Sequence, residues 1–167
     1  MSLRLRTFVI TLAAAVGLGA LLAGPAAALE KPRVAMLVRI NEARAAHGLR
    51  AVRPAFLLRE AAQHHSDDMI LRDYFAHVSP SGGTLYRRVE RSGFVAGYSW
   101  MAGETLGWGV GALAKPAATV AAWLASPEHR AIMLSSTFTR VGISRACGHF
   151  LGHLGACVWT ADWVRRW

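Results

Sequence analysis

The character of this chain changes at Leu134. Before it, apolar residues recur at helical spacing. After it, two β-branched and aromatic runs, 138–144 and 156–163, flank a glycine-bearing loop and predict an antiparallel hairpin. Helices first and strands last, with no βαβ alternation, argue against a doubly wound sheet and for an α+β fold.

The helical part divides cleanly. Met36, Leu37, Ile40 and Ala43 fall on one face of a helix over 34–46, ended by His47-Gly48. Leu58, Ala61, Ala62, His65 and Met69 mark a second, after Pro54. A short third covers 85–91 and closes at Ser92-Gly93. Pro116 opens a fourth as its first residue, with Val120, Trp123 and Leu124 turned inward. Ser126 caps a fifth, with Pro127 at N1 and Glu128 and His129 in the first turn. Residues 98–109, carrying Trp100 and Trp108, fit a strand or a loop.

The N-terminus reads as an export signal. Arg4 and Arg6 precede an apolar run over 8–23, and Gly24-Pro25 leads to Ala26-Ala27-Ala28, an A-x-A-like site. Cleavage is expected after Ala28, giving a secreted or periplasmic protein. An uncleaved anchor is the competing reading, but the run is short for a span and broken by Gly and Pro. Residues 29–167, 139 in all, then form a single domain with no repeat and no low-complexity linker. The leader inflates the apolar fraction of 53%, which therefore does not indicate a membrane protein. No transmembrane span is expected after cleavage, and a monomer is expected.

The formal net charge of +9 falls to +7 when Arg4 and Arg6 leave with the leader, and only Lys31 and Lys115 are lysines. This Arg-rich, Ala-rich usage fits GC-rich bacterial coding. A basic exported protein is drawn to anionic lipid headgroups or wall polymers. No run of Lys and Arg exceeds two residues, however, which describes a dispersed solvated surface. Export and the lack of a basic stripe argue against nucleic acid.

Cys147 and Cys157 lie close together in the exported part, where a disulfide is expected. Closing a loop of about 11 residues is worth roughly 2.5–3 kcal/mol in the chain-entropy model. The alternative is a Cys2His2 zinc loop with His149 and His153, although the glycines at 148, 152 and 155 suit a turn.

Three distant residues read as one site: His77, Glu104 and His129. Two imidazoles and a carboxylate serve an open metal site or a proton-transfer site. Separations of 27 and 25 residues require a fold to assemble them. His129, at a helix N-terminus, is held neutral by the dipole and can accept a hydrogen bond or ligate a metal. The bland alternative is a buried histidine bonded to a carbonyl. Glu104 between Trp100 and Trp108 needs a partner if buried, and otherwise is an exposed loop acid. Glu128 suits the first turn of its helix. His65-Ser66 with Asp67-Asp68 suggests a triad, but helical neighbours diverge and His65 lies on the apolar face. Neither a Gly-x-Ser-x-Gly elbow nor a His-Glu-x-x-His motif occurs. The six tryptophans serve the core, with a lipid groove as the sharper reading of a few.

An ordered set of segments resembles the CAP superfamily, the cysteine-rich secretory, antigen 5 and pathogenesis-related group, in its short bacterial exported form (the SCP domain). The segments are Asn41-Glu42-x-Arg44, Gly48-Leu49, Ala61-Ala62-x-x-His65-Ser66-x-Asp68-Met69, Phe75-x-His77-x-Ser79-Pro80 and Gly103-Glu104-Thr105. Val120-x-x-Trp123-x-x-Ser126-Pro127-x-His129-Arg130, Phe138-x-x-Val141-Gly142-Ile143 and Trp159-Thr160 follow. The resemblance implies an α-β-α sandwich with a central antiparallel sheet and a cleft holding two His and two Glu. His77, Glu104 and His129 match three of those positions. Ser126 stands at the fourth, and Thr105 replaces the usual Asn. Cys147-Gly148-His149 looks like the family's Cys-Gly-His signature, yet counting from Val141-Gly142 assigns that histidine to His129.

The family's histidine pair binds divalent metal in some members, so zinc at His77 and His129 is implied beside Glu104. The resulting expectation is a non-enzymatic module that binds an extracellular ligand or metal in the cleft lined by His77, Glu104, Ser126 and His129. Loss of one carboxylate weakens acid/base catalysis, which needs a pair with separated pKa values. Two alternatives stand: a metal-dependent hydrolase in which Glu104 activates a bound water, and a lipid- or sterol-binding envelope protein.

Overall fold

The computed structural model describes residues 25–167, so residues 1–24 of the leader expected over 1–28 lie outside them. Helix α1 runs Pro25–Ala46, so it starts nine residues earlier than the apolar periodicity suggests and contains Pro32. Ala and Glu residues at its start favour the helix, and Pro32 forfeits one backbone donor. The expected cleavage after Ala28 falls in its first turn. Gly48, at φ +70°, supplies the left-handed residue that ends the turn beyond it.

Helix α2 (Phe56–Arg72) buries Leu58, Ala61, Ala62, His65, Ser66 and Met69, the stripe read from the sequence plus Ser66. Helices α3 (Leu85–Arg91), α4 (Pro116–Ala125) and α5 (Pro127–Met133) lie where expected. Ser126 is the N-cap of α5, its hydroxyl accepting from the His129 N–H at 3.5 Å.

The strands depart further from expectation. Residues 100–110 resolve to strand β2 (Trp100–Val110), antiparallel to β4 (His153–Arg166). β4 also pairs antiparallel with β3 (Arg140–Phe150). The expected glycine-bearing loop between the hairpin arms is therefore mostly strand. Its turn shrinks to Leu151 and Gly152, both at positive φ, which matches the twist of the flanking strands. A two-residue strand β1 (Arg53–Pro54), not foreseen, pairs parallel to β3 and completes the order β1-β3-β4-β2.

Alternation along β4 builds two cores. Trp159, Ala161 and Trp163 face α1, α4 and α5 with Met36, Ile40, Val120, Trp123 and Met133. Val158 and Val164 face α2 and α3 with Leu58, Met69, Val89 and Leu106. The sheet thus lies between helical layers, an α-β-α sandwich. At Gly142 an added Cβ would meet the Leu58 backbone at 2.2 Å, so only glycine lets α2 lie this close to β3. Ser66 fills the same interface through its hydroxyl, 2.7 Å from that of Ser144 and 2.8 Å from that of Thr160. Cys147 and Cys157 are cross-strand partners joined as a disulfide, which excludes the Cys2His2 alternative.

Candidate functional site

The site forms where the loop after α2 crosses the α2 face of β2. Helix α2 ends at Asp73, at φ 54°, and the chain turns back toward the sheet. That turn brings His77 over Glu104, with His77 Nδ1 2.6 Å from Glu104 Oε1. His77 is half exposed at its side chain, whereas Glu104 is 2% exposed. The other carboxylate oxygen, Oε2, accepts from Arg88 on α3. Arg88 also donates to the carbonyls of His77 at 3.1 Å and Gly83 at 3.0 Å. One guanidinium therefore fixes both the acid and the loop that carries its histidine.

Beneath Glu104 lies a residue the motif reading did not include. Asp162 is the direct cross-strand partner of Glu104, is fully buried, and meets no N–H or O–H donor. Two facing carboxylates bond only if one holds a proton. Burial, then the Glu104 charge, pushes the Asp162 pKa far up, which favours placing the shared proton on Asp162. Burial alone would raise Glu104 as well. The His77 bond, the Arg88 charge, the His65 charge and the Asp162 bond together bring it below the ordinary carboxylate value.

His65 closes the network from α2. It is 2% exposed, as its place on the apolar face predicts, and its Nε2–H donates to the Ala76 carbonyl at 3.0 Å. The same nitrogen lies 3.9 Å from Glu104 Oε2. Burial holds its pKa below the usual histidine value. Tyr74 donates to Asp68 at 2.7 Å, and burial followed by that bond raises its pKa.

His129 approaches from α5, its ring centroid 6.4 Å from that of His77. Burial and the His77 charge lower its pKa, whereas the Glu104 hydrogen bond raises that of His77. The two imidazoles are thus biased to opposite protonation states, which suits a neutral His129 as acceptor or ligand. Beside His129 opens a groove of about 280 Å³ lined by Phe75, Trp108, Leu113 and Trp123. Trp108 and Phe75 flank the buried Phe150 ring at centroid distances of 5.6 and 6.4 Å.

The fold brings His77 to both Glu104 and His129, but not as three ligands of one ion. Both Glu104 oxygens are engaged, and among the described residues no group of three His, Cys, Asp or Glu side chains is placed to hold a metal. What fits is a histidine pair with Glu104 behind it, orienting His77 through Nδ1 as carboxylates do behind metal-bound imidazoles. His77 and His129, their ring centroids 6.4 Å apart, are the residues that would hold a divalent ion. Ser126 serves the helix cap. Thr105 points to the opposite core, accepting from Trp163 Nε1 at 3.1 Å, so the Asn-to-Thr departure lies away from the site. His149 is exposed on β3, and His129 takes the place facing His77.

Arg88 and Asp162 are the site residues that sequence reasoning missed. Asp162 left one signal: it occupies the buried phase of a strand otherwise marked by Val158, Thr160 and Val164. Arg88 left none, since one arginine among Arg87, Arg88 and Arg91 on a short helix cannot be singled out before the fold is known.

Comparison with known proteins agrees with this fold. The chain is 32% identical over 127 residues to the uncharacterized membrane protein YlbC of Bacillus subtilis (strain 168), covering 76% of this chain and 32% of that protein. It thus spans about a third of that relative's length. An extracellular protein containing an SCP domain from Bacillus anthracis str. Ames superposes with TM-score 0.63 at 27% identity, over 78% of this chain and 39% of that one. An outer surface protein of Borrelia burgdorferi shares the fold, with TM-score 0.69 at 17% identity over 83% of this chain and 95% of its own. The model of the cysteine-rich secretory protein family matches residues 37–161, most of the chain, and the chain therefore belongs to that family, the CAP family.

Proposed function

We propose that this protein is an exported, non-enzymatic binding module whose cleft takes an extracellular ligand beside His77, Glu104 and His129. One observation carries this reading: the Glu104 carboxylate is spent, one oxygen on His77 and the other on Arg88. A general base must reach the proton it removes, and a 2%-exposed carboxylate with each oxygen already bound to a side chain of the protein is withheld from substrate. The same arrangement suits binding, because it fixes the ring of His77 through Nδ1 and leaves Nε2 outside that bond. His77 and His129 would hold a divalent cation, with water completing its shell. In the hydrolase alternative Glu104 would have to release one of its partners to activate a metal-bound water.

A lipid or sterol reading has its own support. Phe75, Trp108 and Leu113 are 39, 37 and 70% exposed around the groove next to His129. Apolar groups gathered at a concave surface suit an acyl or sterol body.

Zinc titration of the purified protein by calorimetry, with His77→Ala and His129→Ala as controls, tests the first reading. Binding lost in both variants, with no metal-dependent peptide or ester turnover, is the expected result. Turnover that follows the metal would overturn the non-enzymatic reading. A shift of tryptophan emission on adding sterol or fatty acid, unchanged by chelator, would identify the apolar groove as the binding element.

A further inference from the structure

A cavity of about 590 Å³, larger than the groove beside His129, lies elsewhere and shares no residue with it. Arg44, Arg50, Arg53, Arg140 and Arg165 line it, with Ser136 and Thr139 as hydroxyl donors and Leu49 and Phe138 as apolar wall; no Asp or Glu lines it. We propose that this cavity binds a phosphate-bearing anion.

Two independent features point that way. The first is Arg44, which is 1% exposed and lines the cavity. Its Nε donates to the Arg50 carbonyl at 3.0 Å, and Nη1 to those of Met133 and Ser135 at 2.7 and 2.9 Å. Nη2 reaches the Phe138 carbonyl at 3.5 Å. Every partner is a neutral carbonyl. A buried guanidinium is normally paired with a counter-charge, and among the described residues no carboxylate pairs with Arg44.

The second is crowding without compensation. Arg53 and Arg140 are register partners on β1 and β3, and like charges set opposite each other destabilise a sheet. The side chains of Arg50, Arg53, Arg140 and Arg165 make no hydrogen bond or ion pair among the described residues, although they share one concave wall. A dispersed solvated surface would place such charges apart and on convex ground. An anion in the cavity removes both the repulsion and the uncompensated charge of Arg44.

Phosphate is the class the donors select. Guanidinium forks match its oxygens bidentately. Several arginines around one space also exceed what a single carboxylate can satisfy. The volume leaves room for a glycerol or sugar on the phosphate, against Leu49 and Phe138. Such a group could come from a soluble phosphate ester or from a lipid headgroup, and the experiment separates the two.

The test is pyrophosphate titration of the ¹⁵N-labelled protein followed by NMR, with phosphatidylglycerol vesicles as a second arm. Saturable shifts at the amides of Gly48, Leu49, Ala51 and Ser136 are expected. Arg50→Ala and Arg140→Ala should each weaken binding about tenfold, and higher ionic strength should weaken it further. Arg87→Ala and Arg91→Ala, exposed on α3, should leave it unchanged. Vesicle binding lost in the same two cavity variants and competed by pyrophosphate supports a headgroup. Pyrophosphate binding without vesicle binding supports a soluble ester. Shifts scattered over the surface, or equal losses from the α3 and cavity variants, would overturn the proposal as diffuse charge attraction.

Discussion

Glu104 on β2 and Asp162 on β4 are direct cross-strand partners, both buried on the α2 face of the sheet, where burial raises the pKa of Asp162 while His77 and Arg88 hold that of Glu104 low. Isolated, the pair would be two repelling charges out of water. Arg88 and His77 stabilise the charge on Glu104, and the raised pKa of Asp162 relieves the repulsion between the two carboxylates. A second carboxylate thus stands behind the cleft, buried in the sheet beneath Glu104, rather than at the helix position Ser126 occupies.

Asp162→Asn keeps a donor toward Glu104 and removes the titration. Asp162 ionises near its ordinary value of about 3.9 once unfolded but keeps its proton when folded. Its contribution therefore declines as pH rises from there toward the folded value. The Asn variant should unfold within about 1 kcal/mol of the parent at neutral pH and lose that slope. Asp162→Ala removes the donor and should cost about 1–3 kcal/mol. Urea denaturation across pH measures both, and an Asn variant as damaged as the Ala one would refute a protonated Asp162.

Arg88→Ala leaves one Glu104 oxygen unpaired in the interior and frees the His77 and Gly83 carbonyls. Breaking a buried charge pair from one side costs about 3–5 kcal/mol, reduced here because Arg88 retains 12% exposure. A loss of about 2–3 kcal/mol is expected, with His77 losing its fixed orientation. Chemical denaturation gives the first, and broadening or movement of the His77 ring signals in NMR gives the second.

The two cleft histidines should titrate in opposite directions from the usual value near 6.5, His77 above it and His129 below. The sign for stability follows. His77 contributes fully below its unfolded pKa, and that contribution is lost as pH rises through its higher folded value. His129 and His65 resist protonation when folded, so their burial destabilises the protein as pH falls below about 6.5. Ring-proton NMR titration reads each directly. Glu104→Gln should bring the His77 value down.

If zinc binds at His77 and His129, Glu104→Gln should weaken it about 10- to 100-fold, the effect of removing a carboxylate behind a metal-bound imidazole. Either histidine variant should remove binding altogether. Equal losses from all three would instead make Glu104 a ligand.

Much of this molecule was legible in its residues. Periodicity located α2 to α5, because a helix that packs on one face must repeat its apolar residues every three or four positions, as Leu58, Ala62, His65 and Met69 do. Ser126-Pro127 announced α5 through local chemistry, a hydroxyl for an orphan N–H and a ring with the right φ. The strand character of 145–155 was hidden by glycines that resemble a turn, and β2 by a composition that suits loop and strand alike; partners across the sheet decide both. His77, Glu104 and His129 could be named from residue type and family likeness. What they do together could not. Whether a carboxylate is a free base or a committed one depends on which donors surround it, and Arg88 and Asp162 reach Glu104 from 16 and 58 residues away only because α3 and β4 pack against β2. Sequence determined which groups are present; tertiary structure decided their protonation and their partners, since both follow from burial and from distances that only the folded chain sets.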